Sequence, residues 1–190
     1  MWPWDHVAVA YLAYAAYTRV RGRRPSDAAA LAVFATALAP DVIDKPLSWW
    51  LAVLPSGRSL GHSLFTCAAV VAAAGVLQAR TRVAGLTPAV TVGYLSHLLG
   101  DVAYPLVTDG ELRVGFLLWP LVPAAPGEVS SAFGHLGELF AAFLAYLATP
   151  AGVAYLLADL LLLVVALTVW ISDGAPGTRW IRSSDDNRRG

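Results

Sequence analysis

Charge is scarce in this sequence. Only 14% of its 190 residues are Asp, Glu, Lys or Arg, where a soluble domain usually carries about a quarter. The net charge is zero, so nothing argues for nucleic acid as a partner. A single cysteine, Cys67, excludes an intrachain disulfide and a tetrathiolate zinc site. Its place midway along an apolar run marks it as a small packing residue. No Ser/Gly-rich or charged linker divides the chain, so its length points to one domain, residues 1–172, followed by a loose polar tail, residues 173–190. The opening Met1-Trp2-Pro3-Trp4-Asp5-His6 lacks the basic region of a cleavable signal. Trp2 and Trp4 are placed there as an interfacial aromatic anchor. There is no internal repeat.

Apolar residues fill the space that charge leaves: 57% of the chain is hydrophobic, and the mean hydropathy is +0.60. Gly61 to Ala79 and Val83 to Gly100 contain no Asp, Glu, Lys or Arg, and about 20 apolar residues are needed for a helix to cross the hydrocarbon core. Val7 to Thr18 and Ala28 to Pro40 are shorter. Each spans only by drawing in the ionisable groups at its end, His6 in one case and Asp41 or Asp44 in the other. Leu112 to Val122, followed closely by prolines, reads as a re-entrant or interfacial segment. Ser131 to Thr149 and Val153 to Ser172 both have helical length, with Asp159 interrupting the second as a satisfied intramembrane carboxylate or a functional one. The expectation is an all-α integral membrane bundle of five or six helices, multi-pass in the cell membrane and surrounded by lipid.

Arginine placement orients it. Arg19, Arg21, Arg23 and Arg24 follow the first span, and Arg80 and Arg82 follow the third, so both connections lie on one side. The other side receives Lys45, Arg58 and Arg113. The positive-inside rule puts the first set in the cytoplasm. Five spans bring the arginines of the C-terminal tail to the same side, and six do not.

The rare ionisable groups then converge at the extracytoplasmic face. His6 opens the first span, Asp41 and Asp44 end the second, His62 begins the third, and His97 and Asp101 lie toward the outer end of the fourth. His97 and Asp101 stand four residues apart, on one helix face. Asp41 and Asp44 stand three apart just past Pro40, where the helix is expected to end. A mixed nitrogen and oxygen set suits Zn²⁺, with Mn²⁺ or Fe²⁺ as alternatives, and the lack of thiolates argues against Cu(I) or iron–sulfur. Catalytic zinc keeps an open position for water, whose pKa then falls to about 7. Each residue also has a plainer reading, as an interfacial histidine, a helix-terminating aspartate or an orienting hydrogen bond. All of those readings would have to hold at one membrane face.

Arg58, four residues before His62, is placed to hold a phosphate or carboxylate or to snorkel toward headgroups. Ser59 and Ser63 cap the next helix or support the site. His135 and Glu138 form an i,i+3 pair that offers a second metal site, a general base or an interfacial polar turn.

Three segments carry a family resemblance: Pro40-Asp41-Val42-Ile43-Asp44, Arg58-Ser59-Leu60-Gly61-His62-Ser63, and Tyr94-Leu95-Ser96-His97-Leu98-Leu99-Gly100-Asp101. With His6 and Leu118-Trp119-Pro120, this ordered set over roughly residues 1–122 resembles the YdjM/DUF457 membrane-bound metal-dependent hydrolases of bacteria and archaea. It is more distantly similar to zinc-dependent phospholipase C and P1 nuclease sites. Those enzymes carry a later His-x-x-x-Glu, where this chain has His135-x-x-Glu138. The resemblance implies a metal-dependent hydrolase with His6, Asp41 or Asp44, His62, His97 and Asp101 as ligands. The expected activity is hydrolysis of an ester or phosphoester, a lipid among the candidates, at the bilayer surface. In that scheme the other of the two aspartates, with Asp44 the catalytic candidate, or His6 completes the metal shell or acts as base, and Arg58 orients an anionic group. A membrane protein that binds or moves a metal ion or proton without catalysis is the alternative, as is a polar cluster that only ties helix ends together.

Overall fold

The computed structural model describes residues 1–108, 110–124 and 132–178, apart from the side chains of residues 132, 133, 135 and 136. Among the described residues there are six helices and no strand: α1 Pro3–Val20, α2 Asp27–Trp49, α3 Leu64–Thr81, α4 Leu86–Thr108, α5 Ala132–Leu147 and α6 Pro150–Ser172. The expected all-α bundle is what forms. A short 3-10 turn, Gly115–Leu118, lies between α4 and α5. Local capping starts the helices. The Ser26 hydroxyl accepts from the Ala29 amide at the head of α2, and Thr149 does the same for Gly152 at the head of α6, where Pro150 occupies the first helical position.

Small residues set the packing. Ala10, Tyr14, Ala29, Val33, Ala37 and Ala89 form a core between α1, α2 and α4. Gly93 of α4 lets the backbones of α2 and α4 touch, since a Cβ there would meet the Val33 carbonyl at 2.8 Å. Such close approach through small side chains is how helices associate where apolar burial offers little drive. α1 and α6 run parallel. Tyr155 near the start of α6 donates to Asp5 near the start of α1, and Asp173 just past α6 accepts from Tyr11 and pairs with Arg19 at 2.8 Å.

Two helices, Leu64–Thr81 and Pro150–Ser172, are long and apolar enough to cross a membrane, and only 11% of the residues in each apolar window are buried. A helix apolar all round yet uncovered fits lipid rather than a water-facing position. α5 has 16 residues, short of the roughly 20 a crossing needs, and its Phe143 packs against Trp2 and Tyr155.

Three expectations change. α2 does not stop at Pro40 but continues through Pro40 and Pro46 to Trp49, so Asp41 and Asp44 are helical residues on one face. α3 starts at Leu64, leaving His62 in the preceding loop, with the Ser63 side chain accepting from the Phe65 amide as its cap. Residues 173–178 are tied down rather than loose. Asp173 is buried, the Gly177 amide donates to Asp27, and the Trp170 indole donates to the Pro176 carbonyl. The rest of the polar tail, 179–190, lies outside the described residues.

Candidate metal centre

Pro40 lies within α2, one turn past a carbonyl that meets a partner from outside the helix. His97 Nδ1 on α4 meets the Ala37 carbonyl at 2.7 Å. A carbonyl can only accept, so Nδ1 carries the proton and Nε2 presents a lone pair.

His62 is oriented the same way by a carboxylate. Asp44 is fully buried and gathers the loop before α3. Its Oδ2 accepts from the Ser59 amide at 2.7 Å, the His62 amide at 3.2 Å and His62 Nδ1 at 2.8 Å. Its Oδ1 accepts from the Gly61 amide at 2.7 Å. Gly61 is required here, because a Cβ would lie 2.8 Å from the Pro40 carbonyl oxygen. Tyr94 of α4 donates to the Gly61 carbonyl from the other side. With Nδ1 engaged, His62 Nε2 points at His97 Nε2, 3.1 Å away.

Two imidazole nitrogens face each other at that distance only with a cation between them, either a proton or a metal ion. The surroundings are anionic. Asp41 Oδ1 lies 3.5 Å from His62 Nε2 and 3.9 Å from His97 Nε2. Asp101 Oδ2 lies 3.3 Å and 3.9 Å from the same atoms. Burial alone would lower the pKa of His62, which precedes the α3 span, but the carboxylates of Asp101, Asp41 and Asp44 raise it to about 10.

All four donor atoms, from Asp41, His62, His97 and Asp101, lie within 4.8 Å of one another and all four residues are buried. Four ligands around zinc at about 2.0–2.1 Å stand roughly 3.3 Å apart in a tetrahedron. The spacings that involve a histidine, 3.1 to 3.9 Å, bracket that value. Imidazoles fixed through Nδ1 by a carboxylate and a carbonyl are what a metal-binding histidine pair requires. The group can therefore hold a metal ion.

The other expected residues surround this group. Asp44 spends both oxygens on the loop and on His62 Nδ1, and so stands behind His62 rather than among the four. His6 is buried and stacks on His97 with ring centroids 3.9 Å apart. Its Nε2 lies 3.4 Å from Asp101 Oδ1, and neither of its ring nitrogens makes a hydrogen bond. Arg58 Nε sits 3.0 Å from Asp101 Oδ2, so this arginine touches the site directly. Ser63 adds to its capping role by donating to the Trp119 carbonyl at 2.6 Å. That contact holds the Leu112–Val122 segment over the site, where Phe116 meets the His62 ring edge-on at 6.0 Å. Asp159 belongs to a separate cluster between α1 and α6 with Asp5 and Tyr155. Glu138 is exposed on α5, and the side chain of His135 lies outside the described residues.

Sequence reasoning missed Lys45, whose Nζ pairs with Asp41 Oδ2 at 2.6 Å. The i,i+4 spacing of Asp41 and Lys45 was the available signal. The carbonyl of Ala37 and the ring of Phe116 left no comparable trace.

The profile of a family described as YdjM inner membrane protein matches residues 1–175. No curated protein matches the chain, and no solved structure does.

Proposed function

The chain belongs to the YdjM inner membrane protein family, and on that premise we propose that it is a membrane-bound metal-dependent hydrolase. Asp41, His62, His97 and Asp101 would hold a divalent ion, zinc best matching two imidazoles and two carboxylates in this spacing. The observation that carries the reading is the pair of buried imidazoles with both Nδ1 atoms engaged and both Nε2 atoms converging at 3.1 Å. A divalent ion held there would supply Lewis acidity for hydrolysis of an ester or phosphoester.

The chain's own residues supply the rest. Asp44 holds the His62 ring in the tautomer that presents Nε2. His6, with its ring nitrogens free of hydrogen bonds, is the group placed to take up a proton beside Asp101. Arg58, at the edge of the site, orients an anionic substrate group. Phe116 and its segment limit the entry of bulk water.

Arg19 and Arg80 lie near the C-terminal ends of α1 and α3, away from the site, whereas Lys45 and Arg58 flank it. The positive-inside rule then places the site at the extracytoplasmic face. Five crossing helices, α1 to α4 and α6, with α5 at the periphery, agree with that orientation.

The deep burial of both imidazoles also favours a non-catalytic reading, in which the protein keeps or passes on an ion. Two measurements separate the readings. Metal content of the purified protein should be stoichiometric and should be lost in His97→Ala; equal content in both ends the metal reading. Turnover of a chromogenic phosphodiester or a labelled phospholipid should depend on that metal. Full metal occupancy with no hydrolysis across a broad ester and phosphoester panel would favour the non-catalytic role.

A further inference from the structure

Lys45 is the single lysine in the sequence, and it stands at the edge of the polar site. Its ammonium contacts Asp41 Oδ2 at 2.6 Å, while the other oxygen of that carboxylate faces the two histidines. Arg58 pairs with the second carboxylate, Asp101, through Oδ2, the oxygen that also faces the two histidines. Each cation makes one contact with a carboxylate, yet an ammonium has three donors and a guanidinium five. Both side chains also reach solvent, at 32% exposure for Lys45 and 38% for Arg58, whereas both site histidines are fully buried.

Aromatic neighbours keep the two cations at that edge. Lys45 Nζ lies 5.8 Å from the Trp49 ring centroid, and the Arg58 guanidinium 5.9 Å from that of Phe116. Of the charged groups that touch the site, these two are the most exposed, so an incoming group meets them before the buried histidines. Three carboxylates, two side-chain cations and one divalent ion would leave the loaded site with net positive charge. Such a site favours an anion over a neutral ester.

We propose that Lys45 works with Arg58 as a two-point clamp for an anionic phosphoryl group at the mouth of this site. The inference rests on the metal-hydrolase reading above, and it assigns a substrate-binding role to a residue which that reading does not need.

Inorganic phosphate is the probe, titrated calorimetrically into the zinc-loaded full chain in detergent, with zinc content measured on the same samples. Wild type should bind one phosphate per chain. Lys45→Gln should weaken phosphate about tenfold or more, the loss expected for one charged hydrogen bond, with zinc content unchanged. Lys45→Arg should stay within about threefold of wild type, since charge and reach are retained. Phosphate affinity equal in Lys45→Gln and wild type, with zinc bound in both, overturns the clamp alone. Loss of zinc in Lys45→Gln overturns it too, because Lys45 would then serve the metal group rather than the substrate. Wild type that binds no zinc removes the underlying reading and the clamp together. Phosphatidic acid in mixed micelles identifies the source of the group. Affinity well above that for inorganic phosphate supports the clamp with a lipid headgroup as ligand, and equal affinity supports it with a soluble phosphoryl compound.

Discussion

Replacing Asp44 by asparagine separates a metal ligand from a residue that only supports one. Four N–H groups converge on its two oxygens, three on Oδ2 and the Gly61 amide on Oδ1. An asparagine amide keeps one acceptor and turns the other position into a donor. The less costly orientation leaves the oxygen facing Ser59 and His62 and sets the NH₂ against the Gly61 amide. One charge-assisted hydrogen bond is then lost and one buried amide left unpaired, which together cost about 2–4 kcal/mol. His62 keeps its tautomer but loses a charged partner, and loss of such support typically weakens metal binding about 10–100-fold. The assay is thermal unfolding in detergent with and without zinc, together with calorimetric zinc titration. Asp44→Asn should unfold several degrees lower yet still reach one zinc per chain at saturation, whereas His97→Ala should not. Unchanged stability and affinity in Asp44→Asn, or complete loss of zinc, would refute this role.

Gly61→Ala places a methyl 2.8 Å from the Pro40 carbonyl and 3.3 Å from Asp44 Oδ1. It should destabilise by about 1–3 kcal/mol and weaken zinc in parallel, measured by the same two methods; full zinc affinity would count against the close approach. Ion binding should release protons, because His62 with a pKa near 10 is protonated at neutral pH and must give up that proton to ligate. Apparent zinc affinity should therefore rise about tenfold per pH unit between pH 6 and 8 for one proton displaced, and calorimetry in buffers of different ionisation enthalpy should count close to one; no proton release would contradict the ligand assignment of His62. Tyr11→Phe removes a hydrogen bond to Asp173 at the far end of α1. It should lower stability by about 1–2 kcal/mol while leaving zinc affinity unchanged, and weakened zinc would show that the two ends of the bundle are coupled.

Much of this arrangement was legible in the linear sequence because charge in a membrane protein is rare and costly. The pairs His97 with Asp101 and Asp41 with Asp44 share helix faces by spacing alone, and an alternation of helix direction brings them to one end. The division of labour between the two aspartates was not legible. It depends on the loop 59–62 folding back against α2, which Gly61 permits and which no local periodicity encodes. Pro40 misled for a related reason. Proline usually ends a helix, yet here the contacts of α2 with α4 carry it on to Trp49, and the carbonyl of Ala37 becomes the partner of His97. Lys45 resembled an ordinary cation at a helix end, although its i,i+4 spacing from Asp41 hinted at the pair that the structure shows. The fold of residues 173–178 onto α1 and α2 likewise rests on tertiary partners, Arg19, Tyr11 and Asp27, that polarity alone did not suggest.

Zinc K-edge X-ray absorption on the full chain loaded with one equivalent bears on the metal assignment most directly. Two imidazole nitrogens and two carboxylate oxygens at about 2.0–2.2 Å are the predicted result. An all-oxygen shell without imidazole scattering would contradict it.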